Sequence, residues 1–200
     1  YSVGKIPGGF KRREGKASDK GILVARMIDR PLRPLFPKDF HNEVSLVATA
    51  LSIDPLCPPE PLAMIASSIA LCISEIPFDT PVGSVKVACQ EGKYIINPSS
   101  EELENSEFDL MVCGVEDRII MLEAGAKEVS DEKILESIEY AKDYISQLIE
   151  FQNKIIEDIK PVKYNYKTQN IDSEIEKEFN EYSKPILEKI YSTYYSDNNE

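Results

Sequence analysis

The sequence predicts an α+β fold, a mixed sheet packed with helices and followed by the start of an all-α domain. Three observations carry this. Helix signals recur near 18, 61 and 130, two hairpin patterns follow one another between 82 and 124, and a separate helical pattern begins near 171. With 200 residues, 42% of them hydrophobic and 29% charged, the chain has material for one large domain or two small ones.

Residues 1–6 read as the end of a strand, and Pro7-Gly8-Gly9 and Gly15 bracket a shaped loop holding Phe10, Lys11, Arg12 and Arg13. Ser18 before Asp19 starts a helix, because the hydroxyl caps free amides and the carboxylate suits the positive end of the helix dipole. That helix is expected over 19–30, since Pro31 and Pro34 each lack an amide proton and restrict the residue before them. Asn42 to Asp54, with Val44, Leu46, Val47, Ala48 and Leu51, reads as a buried strand. After a Pro-rich turn at 55–61, residues 61–74 read as a helix whose Ala63, Ala66, Ser67, Ser68 and Ala70 allow close packing on a sheet.

Val82–Cys89 and Tyr94–Asn97 flank Glu91-Gly92, while Phe108–Val115 and Ile119–Ala124 flank Glu116-Asp117-Arg118, so a four-stranded antiparallel meander is expected. Ser130-Asp131-Glu132 opens a long helix in which Ile134, Ile138, Ala141, Ile145, Leu148, Ile155 and Ile159 keep three-and-four spacing, interrupted at Gln152 and ended by Pro161. The organisation is therefore 1–77 and 78–160 as two parts of one domain and 161–170 as a linker. Residues 171–200 read as the beginning of a helical domain, with a kink or break forced by Pro185. Because the chain opens on Tyr1 inside a strand-like run, it reads as a piece of something longer.

The net charge of −12 hides an asymmetry. Residues 1–40 carry ten Lys and Arg against four acids, and the remaining 160 carry 13 against 31, with five of the six arginines in the first 40 positions. A local anion site on an acidic body follows. Cys57, Cys72, Cys89 and Cys113 show no paired spacing and have one histidine, His41, to assist them, which argues against zinc and for reduced, buried thiols in a cytosol-like compartment. No apolar run reaches the length of a membrane span, and no signal peptide is evident.

The loop from Gly9 to Ser18 fails as a nucleotide phosphate loop. Five residues separate its glycines where four are required, and Ala17 rather than Ser or Thr follows Lys16. Cationic side chains beside an aromatic suit single-stranded nucleic acid, with guanidinium forks on phosphates and a ring against a base. A solvated basic loop is the competing reading. Arg26, Arg30 and Arg33 stand at i, i+4 and i+7 and would share one helical stripe, although Asp29 can pair with Arg33 as on any ion-paired surface. No nucleophile elbow, zinc-binding helix or paired-carboxylate signature is present, and Asp54, Asp79, Asp109 and Glu123 are too scattered to nominate a metal site. No catalytic residue and no metal ligand is assigned.

The run from Gly4 to Asp19, Ile-Asp-Arg-Pro-Leu-Arg-Pro-Leu-Phe-Pro at 28–37, Asn-Glu-Val at 42–44, Ile-Pro-Phe at 76–78, Asn-Pro at 97–98 and Asp-Leu-Met-Val-Cys-Gly at 109–114 occur in order. Together they resemble the first RNase PH-like domain of the bacterial-type polynucleotide phosphorylase family over about 1–160. Residues 171–200 resemble by position the start of that family's all-helical domain. The resemblance implies an RNase PH-like (ribosomal protein S5 domain 2-like) fold. It also implies a phosphorolytic 3′-to-5′ exoribonuclease that uses inorganic phosphate as co-substrate and releases nucleoside diphosphates from RNA. Further implications are a homotrimeric ring, partners in RNA degradation and a cytoplasmic location, with magnesium or manganese held outside this segment. This segment would contribute ring assembly and RNA guidance and would be inactive alone. The resemblance carries RNA binding onto Phe10, Lys11, Arg12 and Arg13, and onto Arg26, Arg30 and Arg33. Many members place a second aromatic where this chain has Lys11, which shifts grip from stacking toward charge. The alternatives are a non-catalytic RNase PH-like subunit of an exosome-type ring, and a plain α+β scaffold.

Overall fold

A computed structural model describes residues 18–54, 56–116, 118–166 and 173–197. The chain divides into two compact units. One holds the described residues up to Pro37 with Asn42–Asn165, and the other holds Lys38–His41 and the described residues from Tyr166 onward.

In the first unit, α1 (Asp19–Leu32) begins as its sequence dictates: the Gly21 amide donates to Ser18 Oγ at 3.1 Å, and Asp19 lies in the first turn. The helix passes through Pro31 rather than stopping at 30. Only one residue, Leu32, follows the proline in the helix. The Arg33 amide then closes the end on the Asp29 carbonyl, and a 3₁₀ turn covers Arg33–Leu35. Helix α2 (Glu60–Ile73) admits Pro61 in its first turn, where no amide partner is required.

The strands are β1 (Gly83–Gln90), β2 (Lys93–Ile96), β3 (Phe108–Val115) and β4 (Arg118–Ala126), all antiparallel. Glu91 (φ 51°) and Gly92 (φ 75°) form the two-residue turn between β1 and β2, both in the left-handed region that a primed hairpin turn requires. The strand order β2-β1-β3-β4 corrects the expected meander: β3 pairs with β1, not with β2. The reason is α3 (Ser100–Glu104), absent from the sequence expectation, which carries the chain from the β2 edge to the far side of β1. A capping box starts it, with the Glu102 amide on Ser99 Oγ and the Ser99 amide on the Glu102 carboxylate.

The sheet buries both faces. Val85, Val87, Cys89, Phe108, Leu110 and Val112 face Ala141, Ile145 and Ile149 of the long helix α4 (Asp131–Ile159). Met111, Cys113, Val115 and Met121 face Ile28 and Leu32 of α1 and Met64, Leu71 and Cys72 of α2. At Gly83 the α4 backbone comes so near that an added Cβ would lie 2.8 Å from the Ile145 carbonyl oxygen.

The Gln152 break in the α4 pattern is a buried network. Ser68 Oγ donates to Gln152 Oε1 at 2.8 Å, Gln152 Nε2 donates to the Val82 carbonyl at 2.9 Å, and the Val82 amide donates to Ser68 Oγ at 2.8 Å. Beyond α4, residues 161–166 are irregular. Lys163 Nζ donates to the carbonyls of Cys72 at 2.7 Å and Phe78 at 2.8 Å, with Leu71 and Ser74 slightly farther, and so caps the C-terminal end of α2.

Two further expectations are overturned. Residues 42–54 form no strand. Val47 (81% exposed) and Leu51 (95%) face solvent, because a strand exists only through a neighbour's ladder and no described strand edge pairs with this run. Cys57 is exposed beside exposed Leu56 and Pro59, whereas Cys72 in α2, Cys89 in β1 and Cys113 in β3 are buried in the core. In the second unit, Tyr166 Oη donates to Asp39 at 2.9 Å and its ring meets Phe40 edge-on at 5.1 Å. Helix α5 (Ser173–Asp197) runs uninterrupted through Pro185, and its Ile175, Phe179, Tyr182 and Ile186 are exposed.

Candidate nucleic-acid interface

Helix α1 presents the arginine stripe. Its inner face, Ile28 and Leu32, is fixed against the sheet and α2, which leaves Arg26, Arg30 and Arg33 on exposed surface. The spacing of the three arginines predicts one stripe, but their electrostatic states differ. Arg33 places Nε at 2.9–3.0 Å and Nη2 at 2.7 Å from the Asp29 carboxylate, a two-nitrogen grip that holds its guanidinium even more firmly protonated than usual. Arg30 reaches across to β4, where Nη1 donates to Glu123 Oε2 at 3.4 Å. Arg26 makes no ion pair or hydrogen bond among the described residues. Lys20, in the first turn, stands 3.5 Å from the half-satisfied carboxylate of Glu60 at the start of α2.

Glu123 reaches Arg30 because of sheet register. It stands directly opposite Met111, so both side chains leave the sheet on the face that carries α1. Sequence reading placed Glu123 only among scattered acids. The contact spans 93 residues, and no local spacing signals it. On that same face Lys86 pairs with Asp109 at 3.0 Å, which compensates the neighbouring carboxylate. On the α4 side, Lys133 pairs with Glu107 at 2.7 Å and draws its carboxyl below the usual range, while burial and Glu136 push the Tyr94 phenol up to about 12.

Phe10, Lys11, Arg12 and Arg13, the expected RNA-gripping loop, lie outside the described residues. His41 is exposed and enters no strand. Among the described residues there is no group of three or more His, Cys, Asp or Glu side chains that could hold a metal ion, and no helix long and apolar enough to cross a membrane. What the surface can do is bind an anion through Arg26 and the open edge of Arg30.

Comparison with known proteins gives this surface a context. The model for domain 1 of the 3′ exoribonuclease family matches residues 1–77, and the model for domain 2 matches residues 80–144. A polyribonucleotide nucleotidyltransferase of Caldicellulosiruptor bescii is 49% identical over 191 residues, which is 96% of this chain and 27% of that protein. Its namesake in Clostridioides difficile is 46% identical over 97% of this chain and 28% of its own length, and that of Staphylococcus aureus strain Newman 49% over 83% and 24%. The chain thus spans about a quarter of the length of these curated relatives. Rice (Oryza sativa) Rrp46 superposes with a TM-score of 0.57 at 15% identity, covering 72% of this chain and 68% of the other, a likeness of fold. With two models of one family matched in succession and near-half identity along almost its whole length, the chain belongs to the 3′ exoribonuclease family of RNase PH-like proteins.

Proposed function

We propose that this chain is the first RNase PH-like part of a phosphate-dependent 3′-to-5′ exoribonuclease, a polyribonucleotide nucleotidyltransferase that releases nucleoside diphosphates from RNA. The observation that carries the reading is 49% identity over 96% of the chain to proteins of that name. The exposed cationic stripe on α1 supports a share in holding RNA, because Arg26 and the open edge of Arg30 present guanidinium donors to phosphates at a surface of an otherwise acidic chain. In this reading the segment builds a homotrimeric ring and guides single-stranded RNA, with Phe10 stacking on a base and Lys11, Arg12 and Arg13 on phosphates. Arg26, Arg30 and Arg33 line the approach to the reaction centre. Inorganic phosphate is the co-substrate. In this reading magnesium or manganese is held by residues outside this segment. The enzyme would act in the cytoplasm beside other RNA-degrading proteins.

The test is made on the full-length protein with a 5′-labelled single-stranded RNA. Shortening that requires inorganic phosphate and yields diphosphates is expected. Monophosphate products, or shortening indifferent to phosphate, would overturn the reading, and RNA binding without any shortening would favour a non-catalytic ring subunit.

A further inference from the structure

We propose that Glu123 is a positioning residue that orients Arg30 toward a phosphate, either of the RNA backbone or inorganic. The proposal rests on the anion-binding role given above to the α1 surface. An arginine has five N–H donors in a rigid fork, so how many a partner consumes decides what is left for a ligand. Arg33 spends Nε and Nη2 on Asp29 of its own helix and has little fork to offer. Arg30 meets Glu123 through Nη1 alone, at 3.4 Å, leaving the Nε and Nη2 edge for a two-point contact with phosphoryl oxygens.

The geometry supplies what positioning requires. Glu123 stands on β4, paired in register with Met111 of β3, a residue buried in the core that α1 packs on. Its backbone therefore has a sheet's rigidity, and it holds by one end a long side chain that would otherwise sample several rotamers on an exposed helix. The pair is half exposed at both ends (54% and 51%), so the attraction itself adds little to stability, which leaves orientation as its contribution. Asp109, on the same face of the sheet, is occupied by Lys86 at 3.0 Å, and Asp29 of α1 by Arg33 at 2.7 Å.

The experiment compares full-length wild type with Glu123→Ala, Glu123→Gln, Arg30→Ala and the double variant Glu123→Ala/Arg30→Ala. It measures affinity for a single-stranded RNA oligonucleotide at fixed salt, the KM values for RNA and for inorganic phosphate, and kcat. Loss of an orienting contact predicts about three- to fivefold weaker anion binding in Glu123→Ala, with kcat within about twofold of wild type. A raised KM for RNA identifies the backbone as the anion held, and a raised KM for phosphate identifies the co-substrate. Glu123→Gln, whose carbonyl still accepts from Nη1, recovers most of the loss. In the Arg30→Ala background Glu123→Ala has no further effect. Unchanged or tighter anion binding in Glu123→Ala overturns the proposal, as does a loss that persists without Arg30 or that glutamine fails to recover. Should the full-length protein bind RNA yet release no diphosphates, the enzymatic reading fails, while the binding comparison still decides the role of Glu123.

Discussion

Gln152 of α4 and Ser68 of α2, 84 residues apart, share a 2.8 Å hydrogen bond in a fully buried site, and both hold the backbone of Val82 at the entry to β1. Each polar atom finds its partner inside the triangle, so helices on opposite faces of the sheet are tied to one strand. Replacing Gln152 with Leu keeps the volume but leaves the Val82 carbonyl without its donor and the Ser68 hydroxyl without its acceptor. The expected loss is about 2–3 kcal/mol of unfolding free energy, read from the denaturant midpoint at constant m. Ser68→Ala combined with Gln152→Leu should cost clearly less than the two separate losses added together. Strict additivity would mean that the three groups do not act as a unit.

That triangle shows where sequence reasoning stops. The apolar period of α4, the Ser18 cap and the Glu91-Gly92 turn are local signals, and each is found where its residues placed it. Gln152 showed only as an interruption, because its partners arrive through tertiary packing. Residues 42–54 carry a strand's composition but gain no ladder, and strand order depended on α3, five residues too short to leave a helical period. In the candidate site, i+4 spacing revealed Asp29 with Arg33, whereas Arg30 with Glu123 required the β3–β4 register.

Gly83 tests the packing of α4 on β1. A methyl group there would stand 2.8 Å from the Ile145 carbonyl oxygen and 2.9 Å from its Cγ2, and a carbonyl in mid-helix cannot move without its neighbours. Gly83→Ala should therefore destabilise by about 1–3 kcal/mol, despite the usual gain from removing a glycine. A midpoint at or above wild type would show that α4 can shift freely.

The arginines of α1 should separate by their present partners. Arg26→Ala removes a cation with no competing carboxylate among the described residues, so it should weaken single-stranded RNA binding and reduce the slope of log K against log salt by about 0.7. Arg33→Ala should do less, since Asp29 already neutralises it. Asp29→Ala should release Arg33 and tighten binding. Titrations across a salt series check all three, and an Arg33→Ala loss exceeding that of Arg26→Ala would reverse the ranking.

The thiols give a prediction with a definite sign. Burial pushes Cys72 and Cys113 up to about 11 from the ordinary 9.0, because a thiolate is poorly solvated between the sheet and α2. Cys57 is exposed, so an aromatic disulfide reagent at pH 8 should label one thiol per chain quickly and three more only on unfolding. In the unfolded chain the two buried thiols ionise near 9, whereas in the folded chain they keep their protons to about 11. Between those values the folded state binds more protons, so their contribution is complete below pH 9 and is lost as pH rises through 11. Lysines and tyrosines titrate in the same window, so the measurement is a difference. Stability plotted against pH from 8 to 11 should fall less steeply in Cys72→Ala and Cys113→Ala than in wild type, whatever their stability at pH 8. Parallel curves would show that these thiols ionise alike in both states and that the pocket beneath α2 admits water.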